Sequence, residues 1–415
     1  MTPPGKIQAP RGTFDVLPEQ GHRRLRLMHT AEELLGAAGY EPFETPIFED
    51  TQLFARGVGE STDIVQKEMF TFEDKAGRSL TLRPEATAAI CRAYVEHGMH
   101  KLPQPVKLWT AGPFFRHEAP QAGRFRQFTQ VDIEAIGSED PTVDAEVILL
   151  FAELLDRAGV ADLTLRLSSL GAPATRAEYI EELKGYLRSR ESELSDEVRE
   201  RLDLNPLRAF DADHAGTQRV IADAPRLLDR LDPADADHFA EVRALLDGAG
   251  LPYELDSTLV RGIDYYTRTV FEFESGRLGA QAAVGGGGRY DLLIEELGGP
   301  PTPAIGWAAG VERMLLAADD ETREGAPRVY VAVAAPESVH RAFGVWRALR
   351  AEGFRVEMEQ AGRSLRGQLK QADRIGARVT LIVGDGIDVR DMESGEQTHT
   401  ENGDQAVALV REAMR

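Results

Sequence analysis

"VKLWTAGPFFRHEAPQAGRFRQFTQVDIEAIG", residues 106–137, holds two apolar, β-prone runs separated by a polar loop with Gly123. Two such runs around a glycine-bearing loop predict a long-looped antiparallel hairpin. Upstream, the pattern predicts a helix over 19–38. An extended, proline-broken segment "GYEPFETPIFED" (39–50) follows, and "SLTLRPEATAAICRAYVEHG" (79–98) reads as a strand, a turn and a helix from about Glu85. Downstream, 144–158 is helical. Residues 172–250 are charged, rich in glutamate and aspartate, and spaced like helices, which predicts an inserted helical subdomain. β-Pattern returns in "VRGIDYYTRTVFEFES" (260–275), "AQAAVGGGGRYD" (280–291) and "TPAIGWAAGVERMLLAA" (302–318), the last a strand running into a helix. After the polar linker "ADDETREGAP", strands and helices alternate to the end, as in a separate α/β domain. The expected division is 1–170 and 253–318 for an α+β domain with a mostly antiparallel sheet, 171–252 for the insertion, 319–327 for a linker and 328–415 for the α/β domain.

Composition narrows the function. The 415 residues carry a formal charge of -21 and one cysteine, Cys91. Disulfides within the chain are impossible, and a cysteine-built zinc site is ruled out. No apolar run reaches the roughly 18 residues of a membrane span, and "MTPPGKIQAPRG" has no signal-peptide core. A cytoplasmic location is expected. Such acidity does not suit a general nucleic-acid coat. From Ala326 onward, however, basic and acidic residues balance at thirteen each. The arginines grouped there leave room for a local basic face.

"VGGGGRYD" is neither a Walker A run nor a G-x-G-x-x-G that opens a helix. "HEAPQ" lacks the second histidine of a zinc-protease helix, and no G-x-S-x-G elbow occurs. The four glycines read as a place where another backbone or a ligand comes close. Arg116, Arg261 and Arg313 each adjoin apolar sequence. A buried guanidinium needs an anionic partner, and arginine matches phosphate bidentately. Three such arginines beside a hairpin point to phosphate binding on an antiparallel sheet.

The pattern Pro113-Phe114-Phe115-Arg116-His117-Glu118, then Arg124, Phe128 and Asp132, resembles motif 2 of class II aminoacyl-tRNA synthetases. "AIGWAAGVERMLL" resembles motif 3, with Arg313 as its arginine, and "GYEPFETP" resembles motif 1, which builds that class's dimer interface. "LVRGIDYYTRTVFEF", "LRPEATA", "GGRYD", "RGTFDVLP", "RLDLNPLR" and "GRSLRGQLKQADRIGA" resemble histidyl-tRNA synthetases, over essentially the whole chain. The resemblance implies a class II catalytic domain and a C-terminal anticodon-binding domain. It implies ATP-dependent ligation of L-histidine to histidine tRNA through a histidyl-adenylate, with Mg²⁺, by a homodimer.

The same resemblance assigns roles. Arg116 and Arg261 would be catalytic, on the α-phosphate. Arg124 and Arg313 would hold the outer phosphates, Glu118 the adenine amino group, and Phe128 the ring. Glu85, Thr87 and Gln130 would take the substrate ammonium, and Glu134 and Tyr266 the imidazole. Tyr265 and Tyr290 would wall the pocket, Gly288 and Gly306 would clear its floor, and Arg261 would also meet the histidine carboxylate. Gln121, Arg363, Arg366 and Lys370 would contact tRNA. No metal ligand set is expected from the protein alone. Four departures stand out. Ala119 and Ala122 occupy loop positions where the family has basic residues, Ala86 replaces a frequent glycine, and Thr129 a common histidine. The C-terminal hairpin "VGDGIDVRDMESGEQ" is also short. The alternative is a non-catalytic, histidine-binding regulatory paralogue of ATP phosphoribosyltransferase, which lacks the tail domain and typically the arginines.

Overall fold

The computed structural model describes residues 7–59, 62–119, 121, 123–259, 262–279, 282–319 and 328–414. Contacts divide the chain into two units between Asp319 and Asp320.

In the first unit, α1 (Pro18–Ala37) buries Leu27, Ala31, Leu34 and Leu35, a helical spacing that makes one apolar stripe. Strands β1 (Glu41–Pro42) and β2 (Phe48–Asp50) follow. Helix α2 (Thr51–Val58) is capped by Asp50, whose carboxylate accepts from the Gln52 N–H. β3 (Phe70–Glu73) and β4 (Ser79–Leu82) pair with β2 in a small antiparallel sheet, ordered β2-β4-β3. Helix α3 (Thr87–Glu96) leads to the hairpin of β5 (Val106–Phe115) and β6 (Gln127–Ile136), antiparallel from Val106 opposite Ile136 to Phe115 opposite Gln127. Next come α4 (Pro141–Arg157), β7 (Leu163–Ser169), the helices α5 (Pro173–Arg188), α6 (Asp196–Arg201), α7 (Ala215–Ala222) and α8 (Pro233–Ala249), and β8 (Glu254–Leu255). β9 (Thr267–Ser275), β10 (Ala283–Arg289), α9 (Leu293–Glu296), β11 (Ala304–Gly310) and α10 (Val311–Ala317) complete the unit.

Eight strands form one sheet, ordered β1-β5-β6-β11-β10-β9-β7-β8. Only the short edge pairs, β1 with β5 and β7 with β8, are parallel. One face packs on α1, α4 and α8 around Ile133, Phe151, Phe271, Phe273 and Trp307, all nearly fully buried. Phe151 stacks on Trp307 with centroids 4.6 Å apart. The Trp307 indole donates to the Val147 carbonyl at 2.9 Å, so burial leaves no orphaned donor. Burial of each such aromatic contributes about 2–3 kcal/mol.

One local feature departs from expectation. Residues 262–266 were expected to start a strand, but they form turns, and β9 begins only at Thr267. Just inside β9, Arg268 has φ 44 and the register slips, with Thr267 opposite Arg289 but Val270 opposite Gly288. This is a β-bulge at a non-glycine residue, an uncommon conformation that neighbours must hold. Here Arg268 donates through Nε to Asp235 at 2.9 Å and through its backbone to Gly171 O at 2.9 Å. Arg289, in "GGRYD", ends β10. It turns away from its glycine neighbours to make a bidentate pair with Asp144, both side chains fully buried. Removing one partner of such a pair costs about 3–5 kcal/mol.

The second unit runs β12 (Arg328–Val333), α11 (Val339–Ala351), β13 (Arg355–Met358), α12 (Leu365–Arg374), β14 (Ala377–Val383), β15 (Ile387–Asp391), β16 (Gln397–Thr400) and α13 (Gly403–Ala413). Its sheet order is β13-β12-β14-β15-β16, parallel in the first three strands and antiparallel in the last two. Val329, Val331, Val379 and Leu381 form its core with α11 and α13.

Candidate active site

A cleft of about 310 Å³ opens on the large sheet, over the face opposite the aromatic core. Its floor follows from two-residue alternation. Along β6, Phe128, Gln130, Asp132 and Glu134 project to one face. Opposite them on β11 stand only small residues: Gly310 faces Gln130, Ala308 faces Asp132 and Gly306 faces Glu134. β10 continues the rows with Gly286 beside Ala308 and Gly288 beside Gly306. Glu272 of β9 closes the Asp132 row. Long polar side chains from the flanking strands thus lie over a glycine floor. A Cβ on Gly306 would overlap the Glu134 carboxylate and the Ile133 carbonyl. Gly288 is not a lining residue. A Cβ there would meet Thr269 O at 2.6 Å and the Tyr266 ring at 3.0 Å, so its smallness serves packing beneath Tyr266.

One end of the cleft is a buried acidic cluster. Glu85 is 3 % exposed, Asp132 2 % and Glu134 1 %. Glu85 accepts the Thr87 N–H at 2.8 Å and the Ala88 N–H at 3.0 Å, holding the start of α3. Glu134 lies just beneath the lining, where it accepts from Thr87 Oγ1 at 2.6 Å and from the Tyr290 hydroxyl. Burial raises all three carboxyls above their ordinary range. Asp132 is raised further by its acidic neighbours, and Glu134 reaches about 8. Asp132 Oδ2 and Gln130 Oε1 are buried without a hydrogen-bond partner. Such a cluster favours a cation with several donors. Tyr265 packs edge-on against Tyr266 and Tyr290, with centroids 4.8 and 5.5 Å apart, and all three rings line the same end.

The other end carries arginines. Arg116 donates through Nε to Pro84 O at 2.9 Å, and its guanidinium lies 5.4 Å from the Phe128 ring centroid. Arg124 pairs with Glu118 at 3.0 Å. Arg313, on α10, donates to Ala283 O. Burial, and then the nearby charge of Arg124, hold its pKa below the usual arginine value. Gly123 lies against the Arg313 stem, so the hairpin loop and α10 meet there. Glu312 joins the same elements, since its carboxylate accepts the Thr129 N–H at 2.9 Å and pairs with Arg24. Arg24 also donates to Thr129 Oγ1. Asp132 and Glu272, both facing the cleft, were not among the expected site residues. For Asp132 the two-residue spacing from Phe128 was the available signal, whereas Glu272 is brought in by sheet order alone.

Residues 12–314 match the family model for histidyl-tRNA synthetase, and residues 328–412 match that for an anticodon binding domain. The chain belongs to the histidyl-tRNA synthetase family. It is 46% identical over 409 residues to the histidine–tRNA ligase of Rubrobacter xylanophilus, covering 95% of this chain and 96% of that one. It is 45% identical over 399 residues to that of Thermosynechococcus vestitus, covering 94% and 93%. The apo crystal structure of S. aureus histidyl-tRNA synthetase superposes with a TM-score of 0.81 at 36% identity, covering 99% and 100%.

Of the residues this family suggested, Glu85, Thr87, Arg116, Glu118, Arg124, Phe128, Gln130, Tyr265, Tyr266, Tyr290, Gly306 and Arg313 all line the one cleft. Arg261 lies outside the described residues, as does Ala122. Gln121 is exposed and exchanges backbone hydrogen bonds with Arg124. In the second unit, Arg366 and Lys370 stand one turn apart on α12, both exposed, while Arg363 pairs with Glu359 at 3.3 Å. Thr129, in place of the frequent histidine, is absorbed by the Arg24–Glu312 joint.

Proposed function

We propose that this chain activates L-histidine with ATP and transfers it to the 3′ end of histidine tRNA. The observation that carries this reading is one cleft with a cation-seeking end and an anion-seeking end: buried, partly unpaired acceptors at Gln130 and Asp132, and Arg116, Arg124 and Arg313 opposite. An α-amino acid and a triphosphate have those complementary charges.

In this reading Glu85, Thr87, Gln130 and Asp132 receive the ammonium. Glu134 accepts the imidazole N–H, Tyr266 orients the ring's other side, and Tyr265 and Tyr290 wall it. Arg116 holds the α-phosphate, Arg124 and Arg313 the outer phosphates, and Phe128 and Glu118 the adenine. Arg261 spans the carboxylate and the α-phosphate. A carboxylate oxygen of histidine then attacks phosphorus as the bond to the pyrophosphate oxygen breaks, and the tRNA ribose hydroxyl later displaces AMP. The protein's part is alignment of two anions and stabilisation of charge at phosphorus. Among the described residues no group of three acidic, histidine or cysteine side chains could hold a metal ion. Mg²⁺ would be carried chiefly by the phosphates and share their charge, with Glu272 a cleft-lining carboxylate whose charge acts on Arg313. The Glu118–Arg124 pair must part when ATP enters.

Gln121, Arg363, Arg366 and Lys370 are the proposed tRNA contacts. β1, an exposed edge strand at motif 1, is the proposed homodimer seam, and buried Arg83 ties the segment after it to β5 by donating to Thr45 O and Pro113 O at 3.0 Å each. The cytoplasm is the proposed location, and the expected domain division is kept. The regulatory alternative requires neither the arginines nor the tail domain, and this chain has both. Histidine-driven ATP–pyrophosphate exchange and charging of a histidine tRNA transcript test the reading, and absence of exchange refutes it. Arg261→Ala is expected to slow exchange at least roughly a hundredfold, about 3 kcal/mol. Near-wild-type exchange in that variant removes Arg261 from the mechanism.

A further inference from the structure

The loop 262–266 brings Tyr265 and Tyr266 to the cleft. A second cavity of about 170 Å³ lies on its far side, lined by Arg176, Asp264, Tyr265, Tyr266 and Glu296 among others. Where the loop borders that cavity, its backbone carbonyls still need directed hydrogen bonds. Arg176, in the first turn of α5, supplies them. Its Nη1 donates to the Tyr266 carbonyl at 2.9 Å and reaches the Asp264 carbonyl at 3.4 Å. The Asp264 N–H donates to Val58 O at 3.3 Å.

The helical insertion grips the neighbouring chain too. The Arg268 N–H donates to Gly171 O, and the Arg268 side chain donates to Asp235 of α8. Tyr266 and Val270 are members of the insertion's own apolar core, with Leu183, Leu187 and Val220, and Tyr265 and Ile263 pack against it. The tyrosines of the amino-acid pocket are therefore built on the insertion as much as on the sheet.

We propose that Arg176 is a positioning residue for amino-acid binding: from the insertion it fixes the carbonyls of Asp264 and Tyr266 and so sets where Tyr265 and Tyr266 stand in the cleft. This rests on the proposed histidine pocket. Arg176 is not a lining residue of the cleft and touches no substrate in this scheme. Lysine has one compact ammonium and lacks the planar fork, so it restores part of the grip.

Pyrophosphate exchange by Arg176→Met and Arg176→Lys, at varied histidine and varied ATP, reads the effect. Arg176→Met is expected to raise KM for histidine about tenfold while KM for ATP stays within about twofold. Arg176→Lys should fall between it and the parent. A folded Arg176→Met with unchanged histidine KM, or with both KM values raised alike, overturns the assignment. If Arg176→Met does not fold, Arg176→Lys decides, with a selective rise in histidine KM of about threefold expected. No selective rise overturns it. A parent enzyme without histidine-dependent exchange would instead refute the functional reading on which the pocket rests.

Discussion

Glu134 concentrates the chemistry of the pocket in one carboxyl. Burial lifts it to about 8, although Thr87 and Tyr290 both donate to it. Ionised, it is the stronger acceptor for an imidazole N–H. Histidine's ring is already mostly neutral above about pH 6.5, so KM for histidine should fall as pH rises from about 6.5 to 8.5. A flat profile would exclude ionised Glu134 as the acceptor. The sign for stability is opposite. The unfolded carboxyl titrates near 4.5 and the folded one near 8. Between these values the folded state holds the extra proton, and stability falls as pH rises. Glu134→Gln should therefore abolish histidine activation while raising the melting temperature more at pH 8.5 than at pH 5. A loss of stability at both pH values would contradict this account.

At the scale of elements, the hairpin and its alternation were readable, because a half-buried strand shows its two faces directly in its sequence. The glycine strand was readable as a site of close approach, but not as a floor for Glu134. That pairing joins β6 to β11, more than 160 residues apart, and no local pattern encodes it. Gly306→Ala tests the floor. The added methyl meets both a carboxylate and a backbone carbonyl, and should cost about 3 kcal/mol in urea unfolding along with histidine binding. Wild-type stability in that variant would show that Glu134 can move aside. The loop 262–266 was misread as strand because its tyrosines look β-prone. Its backbone carbonyls are instead drawn to Arg176, and the bulge at Arg268 is held by an aspartate 33 positions away.

For the whole molecule, two units with separate sheets and cores imply separable work. Removing residues 326–415 should leave histidine-driven pyrophosphate exchange within about twofold and reduce tRNA charging by at least roughly a hundredfold. Equal loss of both activities would contradict the division of labour. The helical insertion, by contrast, falls within the first unit, and its core includes Tyr266. It is continuous in sequence, yet its core is shared with a tyrosine that lines the cleft.

The sequence by itself determined the strand alternation, the order of the three motifs, the arginines and the family, because each is a short-range pattern or a fixed local spacing. Only the tertiary structure decided which faces meet. It joined Gly306 to Glu134, brought Asp132 and Glu272 into one row across four strands, and paired Arg289 with Asp144. It also placed Arg176 behind the tyrosines. These are contacts between segments distant in the chain. They are selected by burial and by the need to satisfy every buried polar group, and neither requirement can be evaluated until the sheet is assembled.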